Sequence, residues 1–225
     1  MVLIQQGFIS LALLIATLLV AGFFAYIYTL KRQSYLLLWT TAWFVFALHY
    51  VGPALMQESM PSVLESAVDH WLFAVSATLF FLGAQVYSQR KTWKLPALLV
   101  VIFIGIWAAA NATNKFSLSA IIPASLLYIG VAVIFWQESR RQETLADRLL
   151  GLSFACWGVL WLALHYLKTA PELQGQTLSV LATAPCAFVA MLMVMALYEE
   201  EKRRIERNML ALSNLNLATS SFVGG

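Results

Sequence analysis

Three histidines, His49, His70 and His165, are the residues of this sequence most able to do chemistry. Two of them sit in one repeated tetrapeptide: Ala47-Leu48-His49-Tyr50 returns as Ala163-Leu164-His165-Tyr166. An imidazole beside a phenol offers a metal ligand, a group that titrates near neutral pH and an aromatic wall. Asp69 adjoins His70, and Met56, Glu58 and Met60 precede it. This set supports three chemistries. Imidazole and thioether suit copper or zinc, with His49, His165 and His70 as the ligands. A small organic molecule suits an aromatic-lined pocket bounded by His49, Tyr50, His165, Tyr166 and His70. Bis-histidine haem is the least supported of the three. A plainer account is that His-Tyr pairs anchor helix ends at headgroup depth, with a response to external pH as a variant of it.

The elements that position these residues are membrane helices. The chain has 225 residues, 61% hydrophobic and 11% charged, where soluble domains carry roughly a quarter charged residues. Stretches of about 20 apolar residues span a bilayer as helices. Seven are expected: Phe8–Leu30, Tyr35–Leu55, His70–Tyr87, Leu95–Ala110, Leu118–Trp136, Leu149–Leu167 and Leu178–Tyr198. No basic n-region precedes the first run, so it reads as a permanent helix and not as a signal peptide. Lys31, Arg32, Arg90, Lys91, Lys94, Arg140, Arg141, Arg148, Lys202, Arg203, Arg204 and Arg207 fall on one side of this topology, and only Lys115 and Lys168 on the other. The positive-inside rule then places the N-terminus outside and the C-terminus in the cytoplasm of a bacterial inner membrane. Charge placed this way speaks of a lipid bilayer as partner, not a nucleic acid. Cys156 and Cys186 lie in apolar runs and read as buried structural thiols.

Each copy of the tetrapeptide has an arginine 17 residues upstream of its histidine, Arg32 and Arg148. Spans one to three thus match spans five to seven, with the fourth as connector: an all-α bundle in a 3+1+3 parallel repeat. This plan resembles microbial rhodopsins and sugar transporters with parallel three-helix repeats. Retinal is excluded, because the last span, Leu178–Tyr198, has no lysine to carry it. A facilitative transporter or channel stays open as an alternative. Asp69, Asp147 and Glu199 all fall at span ends, which argues against proton or sodium coupling. No HExxH, GxSxG or Walker loop is present, so these residues are not expected to form an enzyme.

Beyond residue 198 the chain changes character. Glu199-Glu200-Glu201-Lys202-Arg203-Arg204 is a charged collar, and Ile205, Asn208, Leu212, Leu215, Thr219 and Phe222 follow at alternating three- and four-residue steps. That pattern predicts a short homodimeric coiled coil or, failing that, an amphipathic helix on the membrane. Residues 1–198 are then one membrane domain and 199–225 a linker leading to a further domain. Pro185 in the last span is a candidate hinge, and Pro185, Ile205, Leu212 and Leu215 a candidate relay. Spans, short loops and the stretch Tyr198–Arg207 together resemble the N-terminal sensory regions of bacterial histidine kinases and diguanylate cyclases. The resemblance implies a signal input, a homodimer and a cytoplasmic output, with a histidine kinase favoured over a cyclic-di-GMP enzyme. The His-Tyr pairs also resemble MHYT-type sensor domains, proposed to bind copper, although Leu48 and Leu164 stand where those have Met.

Overall fold

The computed structural model describes residues 2–51, 63–89, 101–102, 105–106, 118–167 and 176–223, with side chains described over 10–51, 68, 70–89, 101–102, 105–106, 121–163 and 185–215. Six long helices form among them: α1 Val2–Lys31, α2 Ser34–Leu48, α3 Val63–Tyr87, α4 Leu118–Gln142, α5 Leu145–Leu167 and α6 Gln176–Val223. No strand occurs among the described residues. Four segments there are long and apolar enough to cross a membrane, Ser10–Lys31, His70–Tyr87, Ile121–Gln142 and Leu145–Ala163, and α2 is a shorter apolar helix. The expected fourth span, Leu95–Ala110, lies almost wholly outside the described residues.

Heptad-like spacing of large rings and small residues builds the interior. Tyr35, Trp39, Ala42 and Phe46 line one face of α2; Phe73, Ala77, Phe80 and Ala84 one face of α3; Tyr128, Val131 and Phe135 one face of α4; Leu150, Phe154 and Trp157 one face of α5. All are buried, whereas Leu19, Leu126 and Val159 on opposite faces are exposed. Lipid is as apolar as leucine, so burial alone does not hold such helices together; dispersion and ring geometry do. The rings interlock across the bundle: Trp39 meets Phe135 at 6.2 Å, and Trp43 lies nearly parallel to Trp157 at 6.1 Å. Sequence neighbours pack on one another from α1 through α6, α4 and α5 most extensively, and α6 returns to touch α1.

The tight α4–α5 pairing has a simple cause. At Gly151 an added Cβ would lie 2.9 Å from the Ala132 carbonyl oxygen, and at Gly158 it would lie 2.9 Å from that of Ser125. These glycines fall two turns apart on one face of α5 and let the two backbones touch. The hairpin between them turns through Glu143, whose φ of 53° is left-handed; Arg32 and Gln89 do the same after α1 and α3. All three turns lie at the end of the bundle that carries Lys31, Arg140, Arg141 and Arg203, called the basic end below.

Several expected boundaries shift. The second span was expected to reach Leu55, but α2 ends at Leu48, ahead of Gly52 and Pro53, which oppose helical continuation. The sixth was expected from Leu149, but α5 starts at Leu145 and brings Asp147 into its first turn. The last span and the exit segment are one continuous helix of 48 residues. Cys186 is buried as expected, but Cys156 is exposed on the outside of α5.

Candidate functional site

The predicted site residues are brought together only in part. His49 caps the C-terminal end of α2. Its ring lies 6.0 Å from Phe46 in a stacked arrangement, 5.2 Å from Tyr50, 6.3 Å from Phe73 and 5.9 Å from Trp161. Tyr50 is buried with its ring edge-on to Phe46 at 5.5 Å. His70 is half-buried on α3, one turn before Phe73. The backbone of His165 and Tyr166 continues α5, but their side chains lie outside the described residues, as does that of Asp69. The two tetrapeptides are therefore not equivalent in backbone: the first straddles a helix end and the second is helical throughout. His49 also stands level with Trp161, one helical turn short of His165. Among the described residues no three His, Cys, Asp or Glu side chains converge as a metal set would.

Below His49 lies an aromatic interior. Trp157 is its hub, with ring centroids 4.6 Å from Tyr128, 5.3 Å from Phe46, 5.9 Å from Phe154 and 6.0 Å from Phe80. Phe73 links this hub to Trp161, at 5.6 Å from Tyr128 and 4.5 Å from Trp161. The indole nitrogens of Trp43, Trp157 and Trp161 and the hydroxyl of Ser125 are buried without a hydrogen-bond partner. Each such orphan costs roughly 1–3 kcal/mol.

The basic end is a second site, and its composition is the opposite. Asp147 is fully buried. It accepts a hydrogen bond from the Tyr87 hydroxyl at 3.1 Å on one carboxylate oxygen and a short one from Thr144 on the other. Tyr87 stands edge-on to Tyr35 at 5.2 Å, and the Tyr35 hydroxyl donates to Glu200 of α6. The next residue of α6, Glu201, accepts from Lys31 of α1 at 2.6 Å and from Arg204 at 2.9 Å. That Lys31 contact holds the Glu201 carboxyl below the usual carboxylate range. Arg203 donates to Gln142 of α4, beside the nearly buried Glu138, which pairs with Arg141 at 2.7 Å. Side chains from α1, α2 and α4 thus fasten α6 where it leaves the bundle, and the linked Tyr35–Tyr87 pair carries the contact to Asp147 of α5.

No protein-family model matches this chain, and neither curated proteins nor solved structures give a match.

Past the fastening, the side chains of α6 described from residue 205 to 215 are exposed. Ile205, Leu212 and Leu215 of the expected relay are exposed, as is Met209. Pro185 is half-buried inside the same unbroken helix. The collar was legible in the sequence as a charged stretch, but its partners were not. Asp147 was taken for a span-end acid and is instead a buried acceptor. The signal that finds it is Thr144, three residues ahead, at a helix start.

Proposed function

We propose that this chain is a membrane-embedded sensory input domain whose last helix relays a signal to a cytoplasmic output module. One observation carries the reading: a single 48-residue helix, α6, is fastened by Glu200, Glu201 and Arg203 where it leaves the bundle and then presents exposed apolar residues beyond it. A transport protein has no use for that arrangement. A relay needs it, because a small shift at the root must reach a partner surface intact. The spacing of Ile205, Leu212 and Leu215 suits a parallel homodimeric seam.

Topology belongs to the same reading. Helices α3 and α4 both end at the basic end, which favours a further crossing between them. One crossing by the apolar stretch Leu95–Ala110 gives seven spans. The gathering of Lys31, Arg141 and Arg203 at that end supports a cytoplasmic C-terminal side and an outer N-terminus. The collar's resemblance to kinase linkers favours a histidine kinase as output; a cyclic-di-GMP enzyme is the alternative.

Cysteine cross-linking in native membranes tests the relay, after Cys156→Ser and Cys186→Ala. Ile205→Cys and Leu212→Cys are expected to cross-link between copies, whereas Arg207→Cys, about 200° around the helix from position 205, is not. Tyr35→Phe combined with Lys31→Gln should change the yield at 212. Equal cross-linking at all positions or none at any, or solute flux above that of empty liposomes, overturns the reading.

A further inference from the structure

Three indole N–H groups without acceptors inside one ring cluster are an unusual arrangement. Trp43 and Trp157 are 1% and 0% exposed, and the Ser125 residue only 3%; the Trp161 nitrogen is buried with them. Several other hydroxyls in the bundle find acceptors. Thr17, Thr40 and Thr78 donate to carbonyls of their own helices at 2.7 to 2.8 Å, and Ser76 donates across to Ala42 at 3.0 Å. The Tyr128 hydroxyl lies beside Ser76, outside hydrogen-bond geometry. Ser125, Tyr128 and the indoles therefore form a donor-rich group within the ring cluster; among the described residues Ser139 Oγ and Gln33 Oε1, at the basic end, are also buried without a partner.

The chemistry of the group selects its ligand. An indole nitrogen donates and never accepts, and a hydroxyl can donate. What completes the site must accept hydrogen bonds without needing to give any. No lysine or arginine is buried among the described residues, and a bare anion at membrane depth without a counter-charge is costly. The acceptor is then neutral. Its other surface must suit Phe46, Phe73, Phe80 and Phe154, so it is lipophilic, and the bilayer supplies its way in. Trp43 and Trp157 lie 6.1 Å apart and nearly parallel, less than two contact distances of about 3.5 Å. A ring cannot slide between them, so the molecule meets indole edges and not faces.

We infer that the aromatic interior binds a neutral lipophilic carbonyl compound, of the ketone, quinone or lactone class, through the indole N–H groups of Trp43, Trp157 and Trp161 and the hydroxyl of Ser125. The inference rests on the sensory reading and names the chemical class of its stimulus. It moves the site inward from the histidines, with His49 at its rim against Trp161.

The test uses the full chain in lipid nanodiscs, with 2-undecanone as probe and undecane as its carbonyl-free control. Retained probe per chain is counted by mass spectrometry against empty nanodiscs. Saturable, stoichiometric retention of the ketone and not of undecane is expected. Trp43→Phe and Trp157→Phe should each weaken it about 3- to 10-fold, the loss of one hydrogen bond. Ser125→Ala, which removes one oxygen and leaves the packing, should weaken it about 3-fold even if the tryptophan variants fold poorly. Trp136→Phe, at an exposed indole, should change nothing. Equal retention of ketone and undecane, no retention of either, or unchanged affinity in Ser125→Ala and both tryptophan variants overturns the inference. If it falls while the Ile205→Cys cross-link persists, the ligand class is wrong and the relay stands; if both fail, both readings fall.

Discussion

The basic end and the aromatic interior handle buried polarity in opposite ways. At the basic end, Asp147 receives Tyr87 and Thr144, Glu201 receives Lys31 and Arg204, and Glu138 receives Arg141. In the interior, three indole N–H groups and the hydroxyls of Ser125 and Tyr128 have no partner. The carboxylates of the first are answered, although Ser139 Oγ and Gln33 Oε1 near them are not, and removing one partner strands another. The second is open, and adding a partner completes it. The proposed relay would use both: one region that holds its geometry and one that could still gain free energy from something outside the chain.

Breaking the closed region should have the largest effect. Asp147→Ala leaves the Tyr87 and Thr144 hydroxyls buried without an acceptor and should cost about 2–4 kcal/mol, read as a lowered unfolding midpoint in detergent; Asp147→Asn, which keeps one acceptor, should cost less. A cost no greater than that of a surface substitution would show that the basic end is not closed. Gly158→Ala comes next, because its Cβ meets the Ser125 carbonyl, a backbone atom that cannot turn aside. About 1–3 kcal/mol is expected, with ketone retention reduced as well, since Ser125 must move. Loss of stability without any change in retention would separate the α4–α5 contact from the interior.

Acid should act on the root of α6 more weakly. Lys31 lowers the Glu201 carboxyl, so this pair contributes fully above the ordinary carboxylate range and is lost as pH falls through the lowered value. The pair is partly exposed, so its contribution is modest. Protease sensitivity near residue 201 should rise only on the acid side, and Lys31→Gln should remove that rise. The smallest effect is a gain: Glu143→Gly relieves a left-handed φ and should stabilise the α4–α5 hairpin by about 0.5–1 kcal/mol.

The helices were legible because apolar runs bounded by Lys and Arg leave few alternatives. Their ends were less so. Asp147 and Arg148 look like loop residues until Thr144 is seen to open the helix, and nothing in the composition says that Tyr87 lies across from them. The collar could be read as charged, while pairing Glu201 with Lys31 requires knowing that α6 returns to α1. Attention to the repeated His-Tyr pairs drew the site toward the bundle's rim. The indoles beneath them carry an ordinary packing signature, since a one-dimensional pattern records that a tryptophan is inward and not whether its N–H is answered.

Because α6 has no break between Gln176 and Val223, it behaves as a shaft with a fixed phase. At 1.5 Å per residue its 48 residues make a rod about 72 Å long, and each residue turns it by about 100°. One residue inserted after Arg207 would leave the root bonds untouched and swing Leu212 and Leu215 a quarter-turn or more out of register. Seven inserted residues would return them almost to their starting bearing. Under the proposed relay, what the bundle would transmit is an angle, and a change in the length of the tail would be tolerable only in whole heptads.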